Sequence, residues 1–331
     1  MKRTLAALSV PVLTIVVFFV LLEIGVRIVM SNGMNFDVEM WKYATRLKTV
    51  SPNYEIAHEH VPNSSAHLMG ADVEINSKKL RDKEYAYEKP AGVTRILMLG
   101  DSLTFGWGVE AQDTTSKILE RELNANAPNG RRFEVINTGV GNYNTTMEVA
   151  YFFEDGRRYD PDIVILNYFI NDAEETPRRH SGFMSEYSEA YVFLAGRYQV
   201  LKRQLTGRNN YLDYYSGLYA DGAAGWEKAK AAITALSKYA RENGIKLLIA
   251  NHPELHRLDD YPFENVTRML QAHAASLDIP FLDLLASVKG EEPETLWVTR
   301  EDPHPNRKAN TLFARRMKNY LTMDVSWVSQ N

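Results

Sequence analysis

The stretch Arg95-Ile-Leu-Met-Leu-Gly-Asp-Ser-Leu-Thr-Phe-Gly106 decides the fold. Its four consecutive apolar residues, Ile96–Leu99, indicate a short strand that is buried on both faces, as in the centre of a parallel sheet. Gly100 ends this strand, and Asp101 and Ser102 follow at the turn. A serine here lies at the carboxyl edge of a sheet, where open α/β folds bind ligands, and next to the free N–H groups of a helix N-terminus. The same residues also fit a plain serine N-cap, so the rest of the chain has to decide between the two interpretations.

Apolar strands alternate with helices after this stretch. The predicted strands are 133–137, 163–166, 246–250 and 280–285, and the predicted helices are 117–126, 147–158, 226–240, 263–276 and 306–321. Such alternation implies right-handed crossovers and a parallel, doubly wound sheet. We therefore predict an α/β domain over residues 91–325, with a three-layer, flavodoxin-like sheet of about five strands. An insertion rich in Tyr, Arg and Gly interrupts it around residues 174–224.

The N-terminus predicts a transmembrane helix. Lys2 and Arg3 precede 18 uncharged residues, 5–22, which form about 27 Å of helix, close to the hydrocarbon thickness of a bilayer. Glu23 and Arg27 follow, four apart, and are expected to pair. A cleavable signal peptide is the competing interpretation, but no convincing small-x-small site follows the apolar run. We predict an uncleaved anchor over residues 1–30 in the cytoplasmic membrane, with the rest of the chain in the periplasm.

Residues 31–90 are mixed and polar, and they predict a stalk and an N-terminal extension laid on the main domain. The alternating segment 71–76 is typical of an exposed edge strand.

Composition narrows the function classes. Charged residues make up 24% of the 331, and the net charge of −4 argues against nucleic-acid binding and disorder. Because the chain has no cysteine, disulfides, a catalytic thiol and a Cys-ligated metal are excluded. His252 and His256 form an i, i+4 pair without further obvious ligands, so neither a metal nor a cofactor is expected.

Polar residues follow three successive predicted strands. Ser102 follows the first, Gly141 and Asn142 the second, and Asn171 the third, while His304 comes late in the chain with acids before it. In a parallel sheet these loops emerge at one edge, where their side chains can converge. Acyl transfer needs a nucleophilic oxygen, a base, an acid to orient the base, and donors for the oxyanion. The chain supplies each of these residue types.

These segments together resemble the SGNH, or GDSL, hydrolase family. The matching blocks occur in the family's order across residues 95–320: Gly100-Asp101-Ser102-Leu103, the loop around Gly141-Asn142, Ile170-Asn171-Asp172, and Asp302-Pro303-His304-Pro305-Asn306. The stretch Ile75–Asp82 resembles a lead-in common in bacterial, membrane-anchored members.

The resemblance implies a role for each matching residue. Ser102 is expected to be the nucleophile, activated by His304, and its backbone N–H is expected to help form the oxyanion hole. The side-chain amide of Asn171 supplies another donor. The remaining donor is a glycine N–H in the family, but here Asn142 stands at the expected position and Gly141 lies one residue earlier, so the two are alternatives. Asn tolerates left-handed backbone angles better than most residues.

The acid that orients the histidine also has two candidates. The common family spacing, three residues before the histidine, gives Glu301. Asp302 lies two before, a shortened spacing found in some relatives, including proteins of polysaccharide O-acetylation. We favour Asp302, because Pro303 stiffens a turn that can aim it at the ring.

The sequence thus predicts a membrane-anchored serine esterase without a cofactor. Its expected substrate is an acylated small molecule or carbohydrate, with a small acyl group such as acetyl on an envelope or exported glycan. The first alternative is a polysaccharide O-acetyltransferase with the same triad and a membrane-embedded acyltransferase partner. The second is a non-catalytic subunit that binds glycan.

Overall fold

The computed structural model describes residues 2–125, 127, 130–176, 183–206 and 211–328. Its N-terminal part consists of two helices and two antiparallel hairpins. They are α1 (Lys2–Val29), α2 (Phe36–Arg46), the hairpin of β1 (Lys48–Val50) with β2 (His58–His60), and the hairpin of β3 (Ser65–Leu68) with β4 (Ala71–Glu74). The predicted edge strand corresponds to β4.

Strands and helices then alternate through the main domain. The first part comprises β5 (Val93–Leu99), α3 (Ser102–Phe105), α4 (Thr115–Asn124), β6 (Arg132–Asn137), α5 (Thr145–Glu154) and β7 (Ile163–Tyr168). Three helices follow in the predicted insertion: α6 (Phe183–Tyr187), α7 (Glu189–Thr206) and α8 (Tyr211–Gly217). The last part comprises α9 (Ala224–Glu242), β8 (Lys246–Asn251), α10 (Glu264–Ser276), β9 (Phe281–Asp283), β10 (Trp297–Thr299), β11 (Asp302–Pro305) and α11 (Arg307–Asn319).

The main sheet has five parallel strands in the order β6-β5-β7-β8-β9. The predicted doubly wound, flavodoxin-like α/β fold is therefore confirmed. The chain steps from β5 to β6 on one side and then crosses to β7 on the other side of β5. This reversal creates the crevice at the carboxyl ends of β5 and β7 in which such folds bind ligands.

The central strands bury side chains on both faces, as the apolar run at residues 96–99 predicted. Leu97 and Leu99 pack in a core that includes residues of α5, α9 and α10. Ile96 and Met98 point to the opposite core, which includes residues of α4 and α11. The two cores separate three layers, helix, sheet and helix.

Element boundaries differ from the predictions mainly near 3-10 turns. The helix predicted over residues 147–158 ends at Glu154 and continues as a 3-10 turn, and the strand predicted over 280–285 contains only Phe281–Asp283. The block Asp302–Pro305, directly before the predicted helix 306–321, is a strand in an antiparallel pair with β10. Residues 126, 128 and 129, and residues 177–182 and 207–210 of the predicted insertion, lie outside the described residues.

The segment Val10–Asn32, which covers most of α1 and the 3-10 turn after it, has the length and composition of a membrane span, with a mean hydropathy of 2.6. Its apolar side chains are largely exposed, so this helix is either a membrane anchor or a signal sequence. The predicted pair is present, since the guanidinium of Arg27 donates to the Glu23 carboxylate at 2.7 Å. Helix α7 of the insertion packs against both α1 and α2.

Candidate active site

The turn after β5 presents Ser102 at the start of α3. The Asp101 carboxylate caps this short helix by accepting the N–H of Leu103 at 2.9 Å. Gly100 is needed before the turn, because a Cβ there would lie 2.0 Å from Oγ1 of Thr104. The Ser102 side chain is nearly buried, with 8% of its surface exposed.

A chain of hydrogen bonds leads from Ser102 into the protein. Its hydroxyl lies 2.9 Å from Nε2 of His304, and Nδ1 of the same ring lies 2.5 Å from Oδ1 of Asp302. The second carboxylate oxygen of Asp302 accepts the indole N–H of Trp107 at 2.9 Å. Each side chain in this series is therefore oriented by the next.

The two candidate acids occupy different environments. Asp302 is fully buried and also accepts the backbone N–H of His304 at 3.1 Å. Glu301 is exposed, and within the part of the chain that the structure describes no hydrogen bond joins its carboxylate to His304. The geometry favours Asp302, because a carboxylate must touch the ring to hold its tautomer.

The hydrogen bonds of Asp302 affect its pKa more than its burial does. Burial alone raises a carboxyl pKa, but the hydrogen bonds and charge of His304 and the indole of Trp107 hold the pKa of Asp302 below its ordinary value. The acid therefore stays ionised at neutral pH, as the orientation of an imidazole requires.

The two candidate oxyanion donors after β6 differ in their hydrogen bonds. The N–H of Gly141 donates to the hydroxyl of Tyr43 at 2.9 Å, so it is already used. Asn142 has a φ of 67° in the left-handed region, and among the described residues its N–H donates to no protein acceptor. A Cβ on Gly141 would lie 2.6 Å from the Tyr43 ring, which explains why the glycine stands at that residue. The geometry thus favours the N–H of Asn142.

Asn171 follows β7 and lies beside Asp101. Its side-chain amide donates one N–H to Oδ2 of Asp101 at 3.2 Å. An amide has two N–H donors, so the second is available for another acceptor. Burial raises the pKa of Asp101, and the bond from Asn171 opposes that rise.

Two buried acids lie behind this edge of the sheet. Neither carboxyl oxygen of Glu148 has a hydrogen-bond partner, and Oδ1 of Asp172 also lacks one. Burial, together with the charge of Asp172, raises the pKa of Glu148 well above its ordinary value, and burial with the charge of Asp101 does the same for Asp172. Burial thus disfavours the charged forms of both acids.

The N-terminal extension covers the site. The ring of Phe36 stacks on the imidazole of His304, with centroids 6.0 Å apart, and meets Trp107 edge-on at 6.2 Å. The buried guanidinium of Arg81 donates to the carbonyls of Phe105 at 3.1 Å and Gly106 at 2.5 Å, just behind the Ser102 turn. It also donates to the carbonyls of Asp72 and Val109. Burial lowers the pKa of Arg81 to about 10.

The histidines after β8 do not join the site. His252 is buried against Phe313 and hydrogen-bonds Oδ1 of Asn167, and burial lowers its pKa to about 3. His256 contacts Glu254 instead. Among the described residues no group of three or more acidic and histidine side chains is arranged to hold a metal.

Sequence reasoning missed several residues around the site. They are Phe36, Tyr43, Arg81 and Trp107. Arg81 lies in the lead-in block before β5, which is the one signal that could have drawn attention to it. The other contacts join distant parts of the chain, for which a single sequence carries no local pattern.

Comparison with known proteins identifies the domain. The model of the GDSL-like Lipase/Acylhydrolase family matches residues 98–312. No curated protein matches the chain. Among solved structures, that of TesA is 15% identical, with 69% of this chain and 98% of that chain covered at a TM-score of 0.46. The α/β hydrolase LAE5 from the metagenome of Lake Arreo is 14% identical, with 74% and 99% covered at a TM-score of 0.48.

A third solved structure is a two-domain esterase active on acetylated mannans, which is 16% identical, with 72% of this chain and 51% of that chain covered at a TM-score of 0.43. These identities and TM-scores support no inference about the substrate of this chain.

Proposed function

The chain belongs to the GDSL-like lipase/acylhydrolase family, and we propose that it is a serine esterase in which Ser102, His304 and Asp302 form the catalytic triad. One observation carries this proposal. The Ser102 hydroxyl, the two nitrogens of His304 and the carboxylate of Asp302 are joined by successive contacts of 2.9 and 2.5 Å. This arrangement has the order of groups that acyl transfer requires.

In the proposed reaction, Oγ of Ser102 attacks the ester carbonyl carbon while its proton passes to Nε2 of His304. The tetrahedral intermediate then collapses, and the protonated imidazole gives its proton to the departing alcohol. A water molecule, deprotonated by the same nitrogen, attacks the acyl-enzyme and releases the acid. Asp302 stays ionised throughout and stabilises the imidazolium.

The oxyanion is proposed to rest on the backbone N–H groups of Ser102 and Asn142 and the side-chain amide of Asn171. The first two donate to no protein acceptor among the described residues, and the amide retains one free N–H. Removing one such donor typically raises the barrier by about 2.7–4 kcal/mol.

The proposed substrate is a short acyl ester, such as acetyl, on an envelope or exported carbohydrate. The nearly buried Ser102 and the Phe36 ring stacked on His304 are consistent with a small acyl group. Helix α1, if it is retained as an anchor, would hold the domain at the outer face of the cytoplasmic membrane, near such glycans.

The test is labelling with a fluorophosphonate and hydrolysis of p-nitrophenyl acetate, first in the wild type. We expect Ser102→Ala and His304→Ala to abolish both signals, and Asp302→Asn to reduce hydrolysis by up to about 10⁴-fold, as in triad enzymes. Glu301→Gln is the matched control and should retain activity. A wild type that neither labels nor hydrolyses the ester would overturn the proposal.

Product analysis separates hydrolysis from transfer. With an acetyl-ester donor and an oligosaccharide acceptor present together, we expect free acetate to exceed acetylated oligosaccharide. The reverse ratio would identify the protein as an O-acetyltransferase with the same triad. It would then be expected to act with an acyl-donating membrane partner.

A further inference from the structure

The turn that carries Asn142 is fastened from outside by two side chains of the first hairpin. Nζ of Lys48, at the start of β1, donates to the carbonyl of Gly141 at 3.1 Å and to Oδ1 of Asn142 at 3.0 Å. Nε2 of His58, on β2, lies 3.0 Å from the same Gly141 carbonyl. Two side chains of the N-terminal extension thus converge on one peptide group of the main domain.

The protonation of His58 follows from this contact. A carbonyl oxygen can only accept, so Nε2 of His58 must carry a proton when it bonds Gly141. Burial and the nearby charge of Lys48 lower the pKa of His58 to about 3, so the ring is neutral. In the tautomer with the proton on Nε2, the carbonyl of Gly141 accepts from both side chains; Nζ of Lys48 also lies 3.4 Å from this Nε2.

The peptide group between Gly141 and Asn142 is planar, and its C=O and N–H point in opposite directions. Fixing the carbonyl of Gly141 on the outside therefore fixes the direction of the Asn142 N–H on the other side. The preceding N–H, that of Gly141, is fixed separately by the hydroxyl of Tyr43. The turn is thus held by side chains on both of its peptide groups.

Asn142 itself needs this support. A φ of 67° is a left-handed conformation that costs a residue with a Cβ roughly 1 kcal/mol or more. The bond from Lys48 to Oδ1 holds the Asn142 side chain in place and offsets part of this cost. In a glycine neither the strain nor the side chain exists, so a glycine at this position would need Lys48 less.

We propose that Lys48, with His58, is a positioning residue that sets the direction of the Asn142 N–H as an oxyanion donor. Hydrogen bonds donated to the carbonyl also polarise the peptide group and strengthen the N–H on its far side as a donor. The N-terminal extension would then be a functional part of the esterase site. This inference rests on the proposed esterase function and names the groups that shape its oxyanion hole.

The charge of Lys48 gives this role a pH signature. Burial lowers the pKa of Lys48 to about 7. The titratable groups that face it are His58 and His60 of β2, and Tyr43 of α2, whose ring centroid lies 4.5 Å from Nζ. Burial holds both histidines neutral, with pKa values lowered to about 3, and raises the pKa of Tyr43. Lys48 is therefore the group of this cluster that loses charge as the pH rises through 7, and kcat should fall with it.

The test compares Lys48→Met with Lys78→Met in the full chain. Lys78 lies in the same extension but pairs with Glu84 at 3.1 Å, away from the site. We expect Lys48→Met to lower kcat for p-nitrophenyl acetate about tenfold, less than the about 10²–10³ that loss of a donor costs, with KM little changed. The decline of kcat above pH 7 should disappear in Lys48→Met and persist in Lys78→Met.

A second variant separates positioning from general stability. The loss caused by Lys48→Met is measured again in an Asn142→Gly background, where it should shrink to less than about threefold because coupled residues are not additive. An equal loss in both backgrounds, or an unchanged alkaline decline, would overturn the inference. If the wild type itself lacks esterase activity and fluorophosphonate labelling, the proposed function fails instead, so the two failures are distinguishable.

Discussion

The two regions outside the α/β core, the extension at residues 31–90 and the insertion around residues 174–224, differ in what they contact. The extension buries polar and aromatic side chains against the turns that follow β5 and β6, as Arg81 and Tyr43 show. In the described part of the insertion, α8 and Tyr219 pack on the core of the main domain, while α7 packs on α1 and α2. There the Glu23 carboxylate accepts the backbone N–H groups of Glu189 and Ala190 and the hydroxyl of Ser188.

The two regions also differ in how far their apolar side chains are exposed to solvent. Helices α6 and α7 of the insertion carry exposed apolar side chains, among them Tyr191, Leu194 and Tyr198. The extension instead buries Tyr43, Leu47 and Ile75 completely or almost so. The extension thus contacts the turns that carry the candidate site, and α7 of the insertion contacts the N-terminal helix.

The largest expected difference between the two regions is in the free energy of unfolding, and substituting one arginine in each region measures it. Arg81→Met leaves buried carbonyls without donors at about 1–3 kcal/mol each, and we expect it to lower the free energy of unfolding by about 3–5 kcal/mol. Arg197→Met removes an exposed ion pair between the insertion and Asp37, worth about 0–1 kcal/mol. Denaturant unfolding of both variants measures the difference. Equal losses of unfolding free energy in the two variants would show that the extension contributes no more to stability than the insertion does.

The contact between the insertion and α1 is tested by Ser188→Ala. The Ser188 hydroxyl donates to Glu23 at 2.8 Å and accepts the N–H of Tyr191 at 3.0 Å, as a helix cap does. We expect a loss of about 0.5–2 kcal/mol in stability, typical of a removed cap. Turnover of a soluble ester at 25 °C should not change. A lower kcat in this variant would connect the insertion to the site.

Substituting one phenylalanine in the extension and one in the insertion tests which of the two regions affects activity. Phe36→Ala removes the ring that stacks on His304, a contact worth about 0.5–1.5 kcal/mol, so we expect kcat/KM to fall about twofold to tenfold. Phe193→Ala in α7 removes a ring that contacts Arg197 and should leave kcat/KM unchanged. The comparison fails if both variants lose activity to the same degree.

The smallest expected effect is the acid dependence of stability at the site. Because the folded pKa of Asp302 is lowered, its contribution to stability is present above the ordinary carboxyl value of about 3.9 and is lost as the pH falls through the lowered value. The stability lost between pH 5 and pH 3 should therefore be smaller in Asp302→Asn than in the wild type. Glu301→Gln, at an exposed carboxyl, should match the wild type, and an identical loss in all three proteins would contradict the assignment.

Much of the main domain could be predicted because its pattern is local. Four consecutive apolar residues at 96–99 identify a strand that is buried on both faces. In the helices, apolar residues recur at the helical period and so form one apolar face. Alternation and right-handed crossovers then predict a parallel sheet, whereas its strand order came from the structure. The predictions failed in detail where the conformation of a segment depends on the segment it pairs with. Asp302–Pro305 forms a strand only because Trp297–Thr299, across a turn, lies against it.

The candidate site was likewise predicted from the sequence only in part. The residue types and their order were readable, but the choice between Asp302 and Glu301 depends on which carboxylate is buried beside Trp107, 195 residues away along the chain. The choice between Asn142 and Gly141 depends on Tyr43, 98 residues from Gly141, which occupies the glycine N–H. Neither partner leaves a signal in the spacing of the motif.

The sequence by itself determined the α/β architecture, the apolar N-terminal helix and the set of residues that can carry acyl transfer. These properties follow from periodicity and from the chemistry of side chains, which are local. Only the tertiary structure decided which acid meets His304, which N–H after β6 is free, and that Lys48 and His58 of the extension hold the Asn142 turn. Those decisions rest on burial and on hydrogen bonds between distant segments, which exist only once the chain has packed.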